Sequence, residues 1–151
     1  MLLAYRLPRE PSTPRSALWR KLRRLGAAQV LDGLAALPLD ARNREQLEWL
    51  ADEVVEAGGD ATIWIGELGS AAQERELAAR MADAVAADYR TLTEQAVAAR
   101  EEPAGQRRRS LKRMRRELRR IRARDYFPPT EREQALSALD EIAALVEEPV
   151  G

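Results

Sequence analysis

Residues 26–38 read GAAQVLDGLAALP, and the Asp32-Gly33 pair at the centre of this stretch decides the fold. Asp-Gly between two short apolar runs, Ala28 to Leu31 and Leu34 to Leu37, is a preferred pair for a tight hairpin of type I′. Pro38 stops the second run, because proline cannot donate to a strand ladder. Gly26, just ahead of the hairpin, suits the left-handed residue that closes a helix.

Working outward toward the N-terminus, Thr13-Pro14 marks a helix start, with the hydroxyl as cap and proline at the first helical position. That helix runs to Leu25 with Leu18, Leu22 and Leu25 inward. A short loop, Arg9 to Ser12, separates it from Leu2 to Leu7, an apolar run ended by Pro8 that reads as a buried strand. Toward the C-terminus, Asp40 caps a helix from Ala41 to Ala57 with Leu47, Leu50 and Val54 inward, closed by Gly58-Gly59. Ala61 to Ile65 is rich in β-branched and aromatic residues and forms a fourth strand. The three tryptophans, Trp19, Trp49 and Trp64, are assigned to core or helix–sheet packing.

Residues 1–69 therefore carry the order strand, helix, strand, strand, helix, strand. That is the split βαβ, ferredoxin-like unit: a four-stranded antiparallel sheet with both helices on one face. Gly69 marks its end. Ser70 with Gln73 opens a long Ala-rich helix with Leu77, Met81, Val85, Tyr89 or Asp88, Leu92 and Ala96 along one side. Pro103-Ala104-Gly105 breaks it. A basic helix spans Gln106 to Arg124, and Thr130 with Glu133 starts a last helix carrying Leu136, Leu139, Ile142, Leu145 and Val146. Short connections make neighbouring helices antiparallel. The fold class is α+β, a ferredoxin-like domain (1–69) followed by a three-helix segment (70–151). The last few residues read as disordered.

Composition narrows the chemistry. The 151 residues contain no Cys and no His. Disulfides, thiolate metal sites, imidazole ligands and the usual neutral-pH general base are thereby excluded. No phosphate-cradling glycine loop is present, and Asp32, Asp40, Asp60 and Glu67 stand isolated in the sequence rather than paired for metal hydrolysis. No catalytic residue and no metal ligand is assigned. No apolar run approaches the roughly 20 residues of a membrane helix, and the N-terminus lacks the pattern of a signal peptide. The absence of Cys agrees with a cytoplasmic protein.

Formal charge is zero over the chain but unevenly placed: 11 of the 25 Lys and Arg residues lie between Gln106 and Arg124, where Glu117 is the one acid. Leu111, Met114, Leu118 and Ile121 form a narrow apolar seam there, at spacings of three, four and three. Lys112, Arg113, Arg116, Arg119 and Arg120 point away from the seam and are the candidate phosphate contacts. Arg108, Arg115 and Arg122 flank it, suit ion pairs within the chain, and are the candidate oxyanion ligands. Arg20, Lys21, Arg23 and Arg24 form a second, smaller basic face, which alone is more often a solvated surface. Three readings stay open: nucleic-acid binding, neutralisation by the acidic helices on either side within an assembly module, and oxyanion sensing. A base-stacking platform on the sheet would need Tyr5 and Trp64 together.

The stretches LLAYRLPREPSTPRSALWRKLRRLGAAQVLDGLAALP, EWLADEVVEAGGDATIW and RARDYFPP resemble the N-terminal region of the chromate-resistance regulators, the ChrB family. The first half is also similar to the central domain of phenylacetate-pathway repressors and to small CRISPR-associated metal nucleases. Those nucleases carry an Asp at the end of the first strand, where this chain has Tyr5-Arg6, so that likeness extends to fold and not to catalysis. The ChrB resemblance implies a cytoplasmic, homodimeric transcriptional regulator of a chromate efflux operon, with DNA as partner and chromate as effector. It implies no other cofactor, and a further C-terminal effector domain beyond this chain.

Overall fold

The computed structural model describes residues 1–148; the disorder expected of the last few residues concerns 149–151, which lie outside them. The chain is α+β. Its elements are β1 (Leu2–Arg6), α1 (Thr13–Leu25), β2 (Ala28–Leu31), β3 (Leu34–Ala36), α2 (Ala41–Glu56), β4 (Asp60–Trp64), α3 (Ala71–Ala99), α4 (Ala104–Ala123) and α5 (Glu131–Glu147). They gather into two compact units, Met1–Met81 and Ala82 onward, with α3 contributing to both.

In the first unit the strands lie in the order β2-β3-β1-β4, and every neighbouring pair is antiparallel. β3 sits between β1 and β2, the two strands that α1 connects, which is the split βαβ arrangement. Leu3 stands opposite Ala35 on one side and Ile63 on the other, so the three share a face. Leu3 and Ala35 are buried, as are Leu18 and Leu22 of α1 and Leu47, Leu50 and Val54 of α2. α2 packs on β1, β4 and α1, so the helices lie side by side on one face of the sheet. Asp40 caps α2, its carboxylate accepting from the Asn43 amide at 2.7 Å. Gly26, at φ 81°, closes α1 by donating to Arg23 and Leu22 carbonyls.

The turn at Asp32-Gly33 departs from expectation. Type I′ needs positive φ at both central residues, yet Gly33 alone is left-handed, at φ 74°. The register shifts between Gln29 and Leu31, and that irregularity absorbs the difference. The glycine is required twice over. A Cβ on Gly33 would stand 2.4 Å from the Tyr5 carbonyl oxygen, while the Tyr5 amide donates to the Gly33 carbonyl at 2.8 Å. Gly33→Ala is expected to destabilise the chain by at least about 2 kcal/mol, measured by urea unfolding followed by circular dichroism. An unchanged midpoint would mean the turn is free to rearrange.

Two helix starts also differ. The residue before α1 is Ser12, in helical conformation with no side-chain capping bond, so Thr13 lies inside the helix instead of capping it. Thr130 before α5 is likewise helical and makes no capping bond, its hydroxyl turning to Glu131. A cap needs extended backbone to aim its oxygen at the next turn, and only Asp40 and Ser70 meet their amides among the expected caps.

The tryptophans overturn the expectation of core packing. Trp19, Trp49 and Trp64 are 53%, 56% and 59% exposed. Trp19 is one residue past Leu18, about 100° around the helix from it, and Trp49 stands in the same relation to Leu50. Trp64 pairs with Leu2, placing it on the face of the sheet opposite Leu3.

The second unit is a three-helix bundle. Val85, Tyr89, Leu92 and Ala96 of α3 pack with Leu111, Met114 and Ile121 of α4 and with Ala135, Leu139 and Ile142 of α5 in one buried cluster. Ion pairs join Arg90 to Glu131 and Arg100 to Glu141. α3 and α5 therefore run parallel, with α4 antiparallel to both. On α5 Ala135, Ala138, Leu139 and Ile142 are buried, while Leu136, Leu145 and Val146 are half-buried. Small side chains let this helix sit close, and the leucines cover its flanks.

Candidate nucleic-acid interface

Helix α4 follows directly from its seam. Leu111, Met114 and Ile121 are buried and Leu118 is half-buried, which fixes one face toward α3 and α5. Ten of its 20 residues are Lys or Arg and one is acidic. Residues three and four apart share a helix face, so Lys112, Arg116 and Arg119 form one ridge facing away from the seam. Arg113 and Arg120 lie beside that ridge. All five are exposed. Arg109 also belongs there, seven residues before Arg116 and equally exposed. The seven-residue repeat carried that signal, and the list of phosphate contacts drawn from the sequence omits it.

Few of these cations are satisfied within the chain. Arg120 meets Glu117 at 3.4 Å. Arg124, just past the helix, meets Asp88 at 3.0 Å. Arg107 turns back and donates to the Arg100 and Glu102 carbonyls at 2.8 and 3.0 Å, satisfying the end of α3. Arg113 stands 3.5 Å from the Ser110 hydroxyl, which itself donates to Glu102 at 2.6 Å. Arg108, Arg109, Lys112, Arg115, Arg116, Arg119 and Arg122 have no acidic partner among the described residues. The flanking trio Arg108, Arg115 and Arg122, expected to pair within the chain, is fully among them. The acids of α3 and α5 that form ion pairs, Asp88, Glu131 and Glu141, meet Arg124, Arg90 and Arg100 instead.

Placement sharpens the surplus. The N-terminal end of a helix carries partial positive charge and favours anions. Arg107, Arg108 and Arg109 crowd the start of α4, with no acid in its first turn. Arg107 is compensated by the carbonyls closing α3, whereas Arg108 and Arg109 are not.

The turn after α4 is held by a buried network. The Tyr89 hydroxyl donates to Asp125 Oδ2 at 2.7 Å, and Arg132 approaches the same oxygen at 3.8 Å. The Asp125 side chain is 1% exposed. Burial, then the bond to Asp125, pushes the Tyr89 phenol well above its ordinary value. Asp125 belongs to the RARDYFPP stretch, whose role here is to join α3 to the α4–α5 connection.

The other expected sites lie in the first unit. Arg20, Arg23 and Arg24 of α1 are exposed and have no acidic partner among the described residues, but Lys21 is engaged by Glu53 at 2.7 Å. Tyr5 and Trp64 do not form a platform: Tyr5 pairs with Ala61 and Trp64 with Leu2, so they occupy opposite faces. The Tyr5 hydroxyl is instead bonded to Gln29. Among the described residues no three carboxylates gather to hold a metal ion, and no helix is long and apolar enough to cross a membrane.

The fold is a four-stranded antiparallel sheet unit followed by a three-helix bundle, whose α4 bears exposed cations with no acidic partner among the described residues. Residues 15–104 match the family described as Protein ChrB, N-terminal, and the chain belongs to that family of chromate-resistance regulators. The matched stretch begins within α1, at Arg15, and ends at Ala104, where α4 begins. No match was found among curated proteins or among solved structures.

Proposed function

We propose that this chain is the DNA-binding module of a chromate-resistance regulator, and that α4 lays its outer arginines along the phosphate backbone. The observation that carries this is the set of eight exposed cations on α4 without an acidic partner among the described residues, Arg113 included, since its contact is the Ser110 hydroxyl. Guanidinium groups match phosphate oxygens two at a time. Lys112, Arg113, Arg116, Arg119 and Arg120 are the central contacts, with Arg109 beside them. Arg20, Arg23 and Arg24 form a second patch. The family relation supplies the remainder of the proposal: a cytoplasmic homodimer without catalytic activity that responds to chromate.

Spacing favours a polymer over a single small oxyanion. Arg108, Arg115 and Arg122 are seven residues apart, so successive members are separated by about 10 Å along the axis. A row at that interval suits a chain of phosphates better than one small tetrahedral anion. The measurement that tests the proposal is duplex DNA binding across a salt series. With about five phosphates engaged, log affinity falls against log salt with a slope of about −4.5. A flat response removes the phosphate contacts and with them the reading.

A further inference from the structure

We propose that the outer face of α1 binds single-stranded nucleic acid, with Trp19 as the platform for an unpaired base and Arg20 and Arg23 as the flanking phosphate contacts. This goes beyond duplex binding by α4 and stands on the first unit alone.

Sequence dictates the face. Leu18 and Leu22 bury one side of α1. Ser12, Ser16, Trp19, Arg20 and Arg23 recur at spacings of three and four on the other side. The helix contains no acidic residue. Its cations are sorted by direction. Lys21, turned toward α2, is paired with Glu53 at 2.7 Å, while Arg20, Arg23 and Arg24 have no acidic partner among the described residues.

The surroundings of Trp19 specify the ligand. Its ring is 53% exposed, and the Arg23 guanidinium lies 5.3 Å from the ring centroid, a cation–π contact that steadies it. Beside it is a shallow hollow of about 430 Å³, lined by Ser12, Arg15, Ser16, Trp19 and Arg20. That lining has no aliphatic side chain and no carboxylate. A protein-docking groove would surround its aromatic anchor with apolar neighbours. Here a flat π surface stands among guanidinium and hydroxyl groups instead, the combination by which proteins stack bases and hold the linking phosphates. A duplex hides the faces of its bases, so the ligand is an unpaired strand.

The test uses the full chain with Trp49→Phe and Trp64→Phe, which leaves Trp19 as the sole indole. The probes are oligothymidylate and an abasic strand of equal length and charge. Trp19 emission should be quenched by the first and not the second. Trp19→Ala, made in the otherwise natural chain, should weaken oligothymidylate binding by about 5- to 150-fold and leave abasic binding unchanged. Equal binding of the two strands, or no effect of Trp19→Ala, overturns the proposal. Quenching by vesicles of anionic phospholipid but not by oligothymidylate also overturns it and assigns the face to membranes. Adding Lys112→Ser, Arg116→Ser and Arg119→Ser to the single-indole chain separates this site from α4: duplex binding falls and the quench remains. Loss of the quench there overturns the independent site.

Discussion

Serine at Lys112, Arg116 and Arg119 together is expected to weaken duplex DNA binding on the order of 100-fold at low salt, at roughly 1 kcal/mol for each lost contact. The salt slope should fall by about 3, since each phosphate contact contributes about one. These three are chosen because they form a ridge facing away from the seam and have no acidic partner among the described residues. Exposed substitutions of this kind usually leave stability within about 0.5 kcal/mol. Melting and solution mass should therefore hold while binding is lost. If DNA binding is unchanged and a dimer dissociates instead, α4 is an assembly surface and the duplex reading fails.

Asp125→Ala should destabilise the helical unit by about 3 kcal/mol. It removes the acceptor of the Tyr89 hydroxyl and the partner of Arg132, leaving a buried phenol unsatisfied. Tyr89→Phe is milder, about 2 kcal/mol, because it takes a single donor from a buried carboxylate. Both are read from thermal melts by circular dichroism. The pH dependence has a definite sign. The folded phenol titrates above the unfolded one, so its contribution is complete below about pH 10 and is lost as pH rises beyond that. Tyr89→Phe should remove this part of the alkaline loss. Equal alkaline sensitivity in the variant would detach Tyr89 from it.

Much of the architecture is legible in the residues. Leucine spacing marks α1 and α2, Asp40 and Gly26 mark helix ends, and the apolar seam marks the buried side of α4. What escapes is what depends on distant partners. Tyr89 meets Asp125 and Asp88 meets Arg124, each across 36 residues, and no local pattern announces either pair. Side-chain bulk also misleads: Trp19 and Trp49 are large and apolar, yet the periodicity of Leu18, Leu22, Leu47 and Leu50 already points them away from the core. On α5 the reverse holds, since Ala135 and Ala138 are too small to stand out although both are buried. The excess charge of α4 is plain from composition. Which of its arginines are spoken for is set by the folded positions of Glu117, Asp88 and the end of α3.

The crowding of like charge on α4 has its own consequence. Lys112, Arg116 and Arg120 are stacked at intervals of four, as are Arg115 and Arg119, and each such pair repels by about 0.2–0.5 kcal/mol. Electrolyte screens that repulsion as well as competing for phosphate. The folding of the bundle and the proposed grip on a polyanion are therefore expected to respond to ionic strength in opposite senses, so that a buffer that suits one works against the other.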